Sequence, residues 1–343
     1  MSIRPRTGTP SDDGPLLFAI GASGDFGERV CDRLHIRRSA HEERSFEDGE
    51  HKIRPLRNVR NRDVYVLHSL HGDDEQSPND KLCRLLFLIG ALKDAAAGRV
   101  TAVVPYLCYS RKDRQTKTRD PLTTRYIAQL FEAVGTDRLI TMEAHNPAAF
   151  QNAFRCDTEH LDANLAFIDW FRPLVGEAPL AVISPDPGGV KRADIFRETM
   201  ERALNRPVAG GFMEKHRSMG KVTGNVFAGD VAGRTVIVID DLISTGGTMV
   251  RVAEACRDHG ASRIFLAATH GLFSEHAGPA LSQAPVERIV VTNTVAWQPP
   301  HAAAFDQRLA VIDVAGVFAE AIRRCHTGGS INELLGIEDL PQP

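Results

Sequence analysis

Apolar residues in this chain gather in short continuous runs, and a stretch of helical length follows each run. The runs are LLFAI (16–20), VYVLH (64–68), VTAVV (100–104) and RLITM (138–142), then LAVIS (180–184), TVIVID (235–240), RIFLAA (263–268), RIVVT (288–292) and LAVIDV (309–314). Between them lie helical patterns at 80–97, 122–134, 190–203 and 247–259. Strands that are apolar throughout belong to parallel sheets covered by helices on both faces. The pattern predicts an α/β fold of two similar domains, each a mostly parallel sheet flanked by helices. A helix, ANLAFIDWFRPLV, leads through GEAP into a new strand and places the boundary near 155–178. The chain therefore divides into a disordered tail at 1–14, an N-terminal domain at 15–158, a C-terminal domain at 159–335 and a second tail at 336–343.

Composition narrows the class. A chain of 343 residues with 43% hydrophobic residues can fill two cores, and a net charge of -3 gives no footprint for nucleic acid or a membrane surface. No apolar run approaches the roughly 18 residues of a membrane span, and the start MSIRPRTGTPSDDGP lacks the apolar region of a secretory signal. Six scattered cysteines without a CxxC pair read as reduced thiols in a cytoplasmic protein. GASGDFG (21–27) follows a strand, but its spacing is GxxGxxG and not the dinucleotide fingerprint GxGxxG, so it reads as a turn into a helix.

The densest candidate chemistry is VIVIDDLISTGGTMV (236–250). A buried strand, 235–240, runs into a loop at 241–247 and then a helix. Ligands of open parallel sheets bind beyond the carboxyl ends of the strands. The small residues Ser244, Thr245, Gly246, Gly247 and Thr248 leave backbone amides and hydroxyls to converge on an anion at a helix start. A phosphate would repel Asp240 and Asp241, so the two acids suit another part of the same ligand, such as a pair of sugar hydroxyls. A phosphorylated sugar satisfies both halves of the stretch. An N-cap with a tight turn accounts for one acid but not for two.

This stretch resembles the phosphoribosyl-diphosphate motif shared by type I phosphoribosyltransferases and ribose-phosphate diphosphokinases, and alone it does not separate the two. Further segments are similar to the diphosphokinases in collinear order over roughly 16–335: RSFEDGE (44–50), the segment 105–145, VISPDPGGVKRA (182–193) and AATHGLF (267–273). The basic loop 111–125, with Arg111, Lys112, Arg114, Lys117, Arg119 and Arg125, independently suits a polyphosphate. Gly188 and Gly189 after Asp186 permit close approach of a ligand to the backbone.

The resemblance implies a type I phosphoribosyltransferase-like fold and the reaction of ribose 5-phosphate with ATP to give phosphoribosyl diphosphate and AMP. It implies an adenine pocket from Phe46, Asp48 and Glu50 supplied by a neighbouring subunit, and ATP contacts from Arg111, Lys112 and His145. Mg²⁺ would be held by His145 and Asp186, with Asp186 also near the ribose. Ribose 5-phosphate would be bound by Asp186, Gly188, Gly189, Asp240, Asp241 and 244–248. Lys215 and Arg217, within the mobile polar segment 212–230, match the catalytic cations of a flexible loop. A homo-oligomer, a dimer or a hexamer built from dimers, is implied as well. The chain departs from the family's usual residues at Lys112 (Gln), Glu143–Ala144 (Asp-Leu), His216 (Arg) and Ser244 (a third acid). A phosphoribosyltransferase and a non-catalytic regulatory homologue of the synthetase are the competing readings.

Overall fold

The computed structural model describes residues 14–218, 221–296 and 303–336, with side chains given outside 215–226. Apart from Gly14 and Gly336, the two expected tails lie outside the described residues. The chain forms two compact units.

The first unit runs β1 (Leu16–Ala19), α1 (Gly24–Leu34), β2 (His41–Ser45), β3 (His51–Pro55), β4 (Asp63–Leu67), α2 (Pro78–Asp94), β5 (Arg99–Val104), α3 (Thr123–Ala133), β6 (Arg138–Met142), α4 (Pro147–Ala153) and β7 (Asp157–Leu161). Its five-stranded sheet has the order β1-β4-β5-β6-β7 and is parallel throughout. β1 and β4 are buried at every residue, as continuous apolar runs require. α2 opens with a capping box, in which Asp80 N–H donates to Ser77 Oγ (3.3 Å) and Ser77 N–H donates to Asp80 Oδ2 (2.8 Å), with Pro78 in its first turn. Gly27 serves packing: a Cβ there would lie 2.2 Å from the Cβ of Ala19, so α1 can approach β1 only without a side chain. GASGDFG is accordingly a short 3₁₀ turn leading into α1. β2 and β3 form a separate antiparallel hairpin.

The boundary between the units falls at Leu161/Asp162, inside the expected interval, but the chain from Ala315 onward returns to the first unit. The C-terminal domain expected at 159–335 thus ends, as a packing unit, at Val314. The reason is the C-terminal helix Ala315–Thr327, whose Phe318 meets Phe26 of α1 edge-on with ring centroids 5.5 Å apart. Buried Asp63 fastens its far end, accepting from Arg99 Nε (2.8 Å) and Tyr65 Oη (3.1 Å) and meeting His326 Nδ1 at 2.7 Å.

The second unit runs α5 (Asn164–Val175), β8 (Leu180–Ser184), α6 (Val190–Leu204), β9 (Ala209–Ser218), β10 (Lys221–Gly229), β11 (Thr235–Ile243), α7 (Gly247–Asp258), β12 (Arg263–Gly271), α8 (Ala277–Ser282), β13 (Arg288–Thr292) and β14 (Leu309–Ile312). Its seven-stranded sheet has the order β10-β9-β8-β11-β12-β13-β14. All pairings are parallel except β9 with β10, where the segment expected to be a mobile polar stretch forms an antiparallel pair. Alternate residues Val236, Val238, Ile264, Leu266, Ile289 and Val291 pack in one core with Met249, Val252 and Cys256 of α7. All six cysteines are free thiols.

Candidate active site

In the second unit β11 outruns its expected end by three residues and reaches Ile243, so both acids belong to the strand itself. Asp241 is buried and Asp240 is partly exposed. Arg192, in the first turn of α6, spans the pair, with its Nη1 3.1 Å from Asp240 Oδ1 and 3.6 Å from Asp241 Oδ1. Asp241 N–H also donates to Asp240 Oδ1 (2.9 Å). Two carboxylates therefore share one guanidinium. Burial and the adjacent Asp241 carboxylate push Asp240 well above the usual carboxylate range, against the opposing pull of Arg192. The acids expected to face a pair of sugar hydroxyls thus have a cationic partner within the unit, which the sequence reading missed. The signal lay in VKRA, directly after the glycines, but pairing residues 48 apart requires the sheet order that sets β8 beside β11.

The residues expected to form an anion cup follow β11 directly. The N-cap of α7 is Gly246, which has no side chain to spend on the helix's own first amides. Gly246 makes the turn at φ +76°, and a Cβ there would lie 2.8 Å from Leu281 Cγ, so both conformation and packing demand glycine. Ser244 O accepts from Ser274 N–H at 3.1 Å, which braces the loop against the end of β12. Thr245 is exposed. Arg251, one turn into α7, donates from Nη2 to Thr248 Oγ1 (3.1 Å) and brings a second unforeseen cation to the cup.

Asp186 stands at the end of β8, where its Oδ1 accepts from the N–H groups of Gly188 (2.9 Å) and Gly189 (3.1 Å). The two glycines expected to permit close approach of a ligand to the backbone donate their amides to the carboxylate that precedes them. Gly189 answers a local need, because a Cβ there would sit 2.8 Å from Ser184 Oγ. Lys215 and Arg217 fall on β9, and their side chains lie outside the described residues.

In the first unit the remaining predicted residues sit at strand ends and on the hairpin. Phe46, Asp48 and Glu50 form the tip of β2–β3, closed by Phe46 N–H to Glu50 O (2.8 Å) and Glu50 N–H to Asp48 Oδ1 (3.0 Å). Phe46 is 41% exposed, and the Arg44 guanidinium lies 5.1 Å from its ring centroid. Arg84 of α2 donates from Nη2 to Ser45 Oγ (2.8 Å), and Glu43 accepts from Gly21 N–H (2.9 Å), so polar contacts fix the hairpin. Arg111 and Lys112 are exposed in the loop after β5. Thr124 Oγ1 holds that loop by donating to the carbonyls of Tyr109 and Lys112, both at 3.1 Å. His145 is exposed after β6, and its neighbour Asn146 caps α4 while donating to Asp113 Oδ2 at 2.7 Å. The structure thus joins the basic loop to the His145 turn, which the sequence treats as separate motifs. Glu143, one of the departing residues, holds a left-handed φ of 47°.

Asp186 in the second unit offers a carboxylate whose Oδ1 takes two amides, and His145 in the first unit offers an imidazole; each is a donor type that leaves most of a hard cation's shell to water and phosphate oxygen. Among the described residues no cluster of three or more His, Cys, Asp or Glu is arranged to cage a metal.

Comparison with known proteins specifies the family. Residues 16–135 match the N-terminal domain of ribose phosphate pyrophosphokinase, and residues 207–336 match the phosphoribosyl synthetase-associated domain. A ribose-phosphate pyrophosphokinase of Caldanaerobacter subterraneus subsp. tengcongensis is 35% identical over 93% of this chain and 96% of its own length. Those of Pasteurella multocida and Aquifex aeolicus are each 33% identical, over 93% and 94% of this chain and 98% and 99% of theirs. The crystal structure of phosphoribosylpyrophosphate synthetase from Mycobacterium smegmatis superposes with a TM-score of 0.81 at 30% identity, covering 92% of this chain and all of that one. With two family matches on its two halves and relatives aligned almost from end to end, the chain belongs to the ribose-phosphate pyrophosphokinase family.

Proposed function

We propose that this chain is a ribose-phosphate diphosphokinase that transfers the β,γ-diphosphoryl group of ATP to the anomeric hydroxyl of ribose 5-phosphate. The observation that carries the sugar-phosphate half is the end of β11, where an acid pair stands beside a helix start whose N-cap is a glycine. The nearly full-length match to ribose-phosphate pyrophosphokinases supports the diphosphoryl half and weighs against a phosphoribosyltransferase.

In this reading the 5-phosphate sits on the amides and hydroxyls of 244–248, with Arg251 adding charge from α7. Asp240 and Asp241 accept hydrogen bonds from the ribose hydroxyls and fix the ring. The anomeric oxygen attacks the β-phosphorus, and an O–P bond forms. The bond from that phosphorus to the oxygen bridging it to the α-phosphorus breaks. AMP leaves with the bridging oxygen, and the hydroxyl proton passes to solvent. Positioning and charge stabilisation do most of the work in such a transfer. Lys215 and Arg217 are assigned to neutralising charge on the transferring group. Phe46, Asp48 and Glu50 hold the adenine, and Arg111 and Lys112 hold the polyphosphate. His145 and Asp186 are the residues that would hold Mg²⁺, which would supply charge neutralisation to the phosphates. The enzyme is assigned to the cytoplasm as a homo-oligomer of at least two copies. No described helix is long and apolar enough to cross a membrane.

Supplying ribose 5-phosphate and MgATP and identifying the nucleotide product tests the reading. AMP in equal amount with phosphoribosyl diphosphate is the expected result. ADP would indicate an ordinary sugar kinase, and absence of turnover would favour the regulatory homologue.

A further inference from the structure

We infer that Arg192 is a positioning residue for the sugar: it holds Asp240 and Asp241 together and aimed so that both can accept from ribose 5-phosphate. The inference rests on the assignment of those acids to the sugar. Arg192 lies third in α6, a helix with no acidic residue in its first turn. A cation near a helix N-terminus opposes the macrodipole, and local helix energetics do not account for it there. Its partners lie on another element. The parallel pairing of β8 with β11 carries the start of α6 to the acid end of β11, where Nη1 approaches both Oδ1 atoms. The side chain is 15% exposed, against 20% for Asp240 and 3% for Asp241, so the contact is shielded enough to hold a geometry.

The arrangement solves a charge problem. Consecutive carboxylates repel each other, and together they repel a phosphorylated sugar. One guanidinium lowers both repulsions and leaves the group with a net negative charge, which suits it to accept from hydroxyls. Both of these contacts run to Oδ1. Arg192 passes close to Gly189, where a Cβ would stand in ordinary contact with Nη1 at 3.6 Å.

The test uses the full chain and ribose 5-phosphate as the probe. Calorimetry gives its dissociation constant for wild type, Arg192→Gln and Arg192→Lys, and steady-state assays give KM for each substrate. Arg192→Gln is expected to weaken ribose 5-phosphate binding by about tenfold or more. KM for ATP should stay within about twofold, and Arg192→Lys should recover part of the loss. Equal binding by Arg192→Gln and wild type would overturn the inference. So would parallel losses in both substrates together with a lowered melting temperature, which would mark a structural role only. Failure of wild type to bind ribose 5-phosphate would instead strike the functional reading itself, and the two failures are thereby distinguished.

Discussion

Burial, and after it the neighbouring Asp241 carboxylate, governs how Asp240 titrates, with one guanidinium across the two acids opposing them. Its folded pKa is raised, so the native state holds the proton more tightly than the unfolded chain does. Ionising Asp240 therefore costs the fold stability as pH rises through the folded value, and protonation on descent favours the native state. Binding runs the other way, because a protonated Asp240 is a poorer acceptor for a hydroxyl. Ribose 5-phosphate affinity should fall as pH drops through a range above that of an ordinary carboxylate. Asp240→Asn should bind about 10- to 100-fold more weakly and should lose that part of the pH dependence, the phosphate's own titration being common to both proteins. Calorimetric titration across pH checks this; identical profiles for the two proteins would remove Asp240 from the sugar site. The acids, the loop glycines and the hydroxyls were legible as a motif because they are contiguous. Arg192 was not, because its role appears only once β8 lies beside β11.

At the scale of elements, polar anchors hold the loops of the first unit. Lys81 of α2 is almost fully buried and pairs with Asp73 in the loop that follows β4. Burial pushes the Asp73 carboxyl up, but Lys81 and the amides of Gln76 and Glu75 outweigh it, and its pKa lies below the ordinary 3.8. A depressed folded pKa means that the pair's stabilisation is present above 3.8 and is lost as pH falls through the folded value. Asp73→Asn leaves a buried ammonium without its counter-charge, at a cost of about 3–5 kcal/mol. The melting temperature at neutral pH should fall by about 10 °C. The double change Asp73→Asn with Lys81→Met should recover most of that loss, as differential scanning calorimetry would show. Most parallel strands were readable because each is an apolar run; β7, DTEHL, is not one and was missed. The β2–β3 hairpin was not: HEERS and HKIRP are mostly charged, and Ile53 is the buried hydrophobic residue among them. Its register is held by Arg84, Glu43 and their partners, which leave no periodic trace.

For the whole molecule, the division into units departs from a simple split of the chain. Residues 162–314 form one unit without interruption, and the first unit needs the segment from Ala315 onward to cover α1. Burying Phe318 and Ile322 there contributes about 1.5–3 kcal/mol each. A fragment 162–314 should show a cooperative thermal transition by itself. A fragment 14–161 should lack one until 315–336 is joined to it through a flexible linker. Hydrogen exchange in β1 and β4 would register the difference, and a stable 14–161 fragment would contradict it. The sequence reading marked no helix at 315–327, and an apolar face there would in any case be mute about which element it covers. The returning helix also sets an order of events on the ribosome. The first half emerges early and must wait, with one side of its opening helix bare, while about 150 further residues are translated at roughly 5–20 per second. For those many seconds the nascent chain presents a hydrophobic strip that chaperones can grasp, and the returning helix closes it.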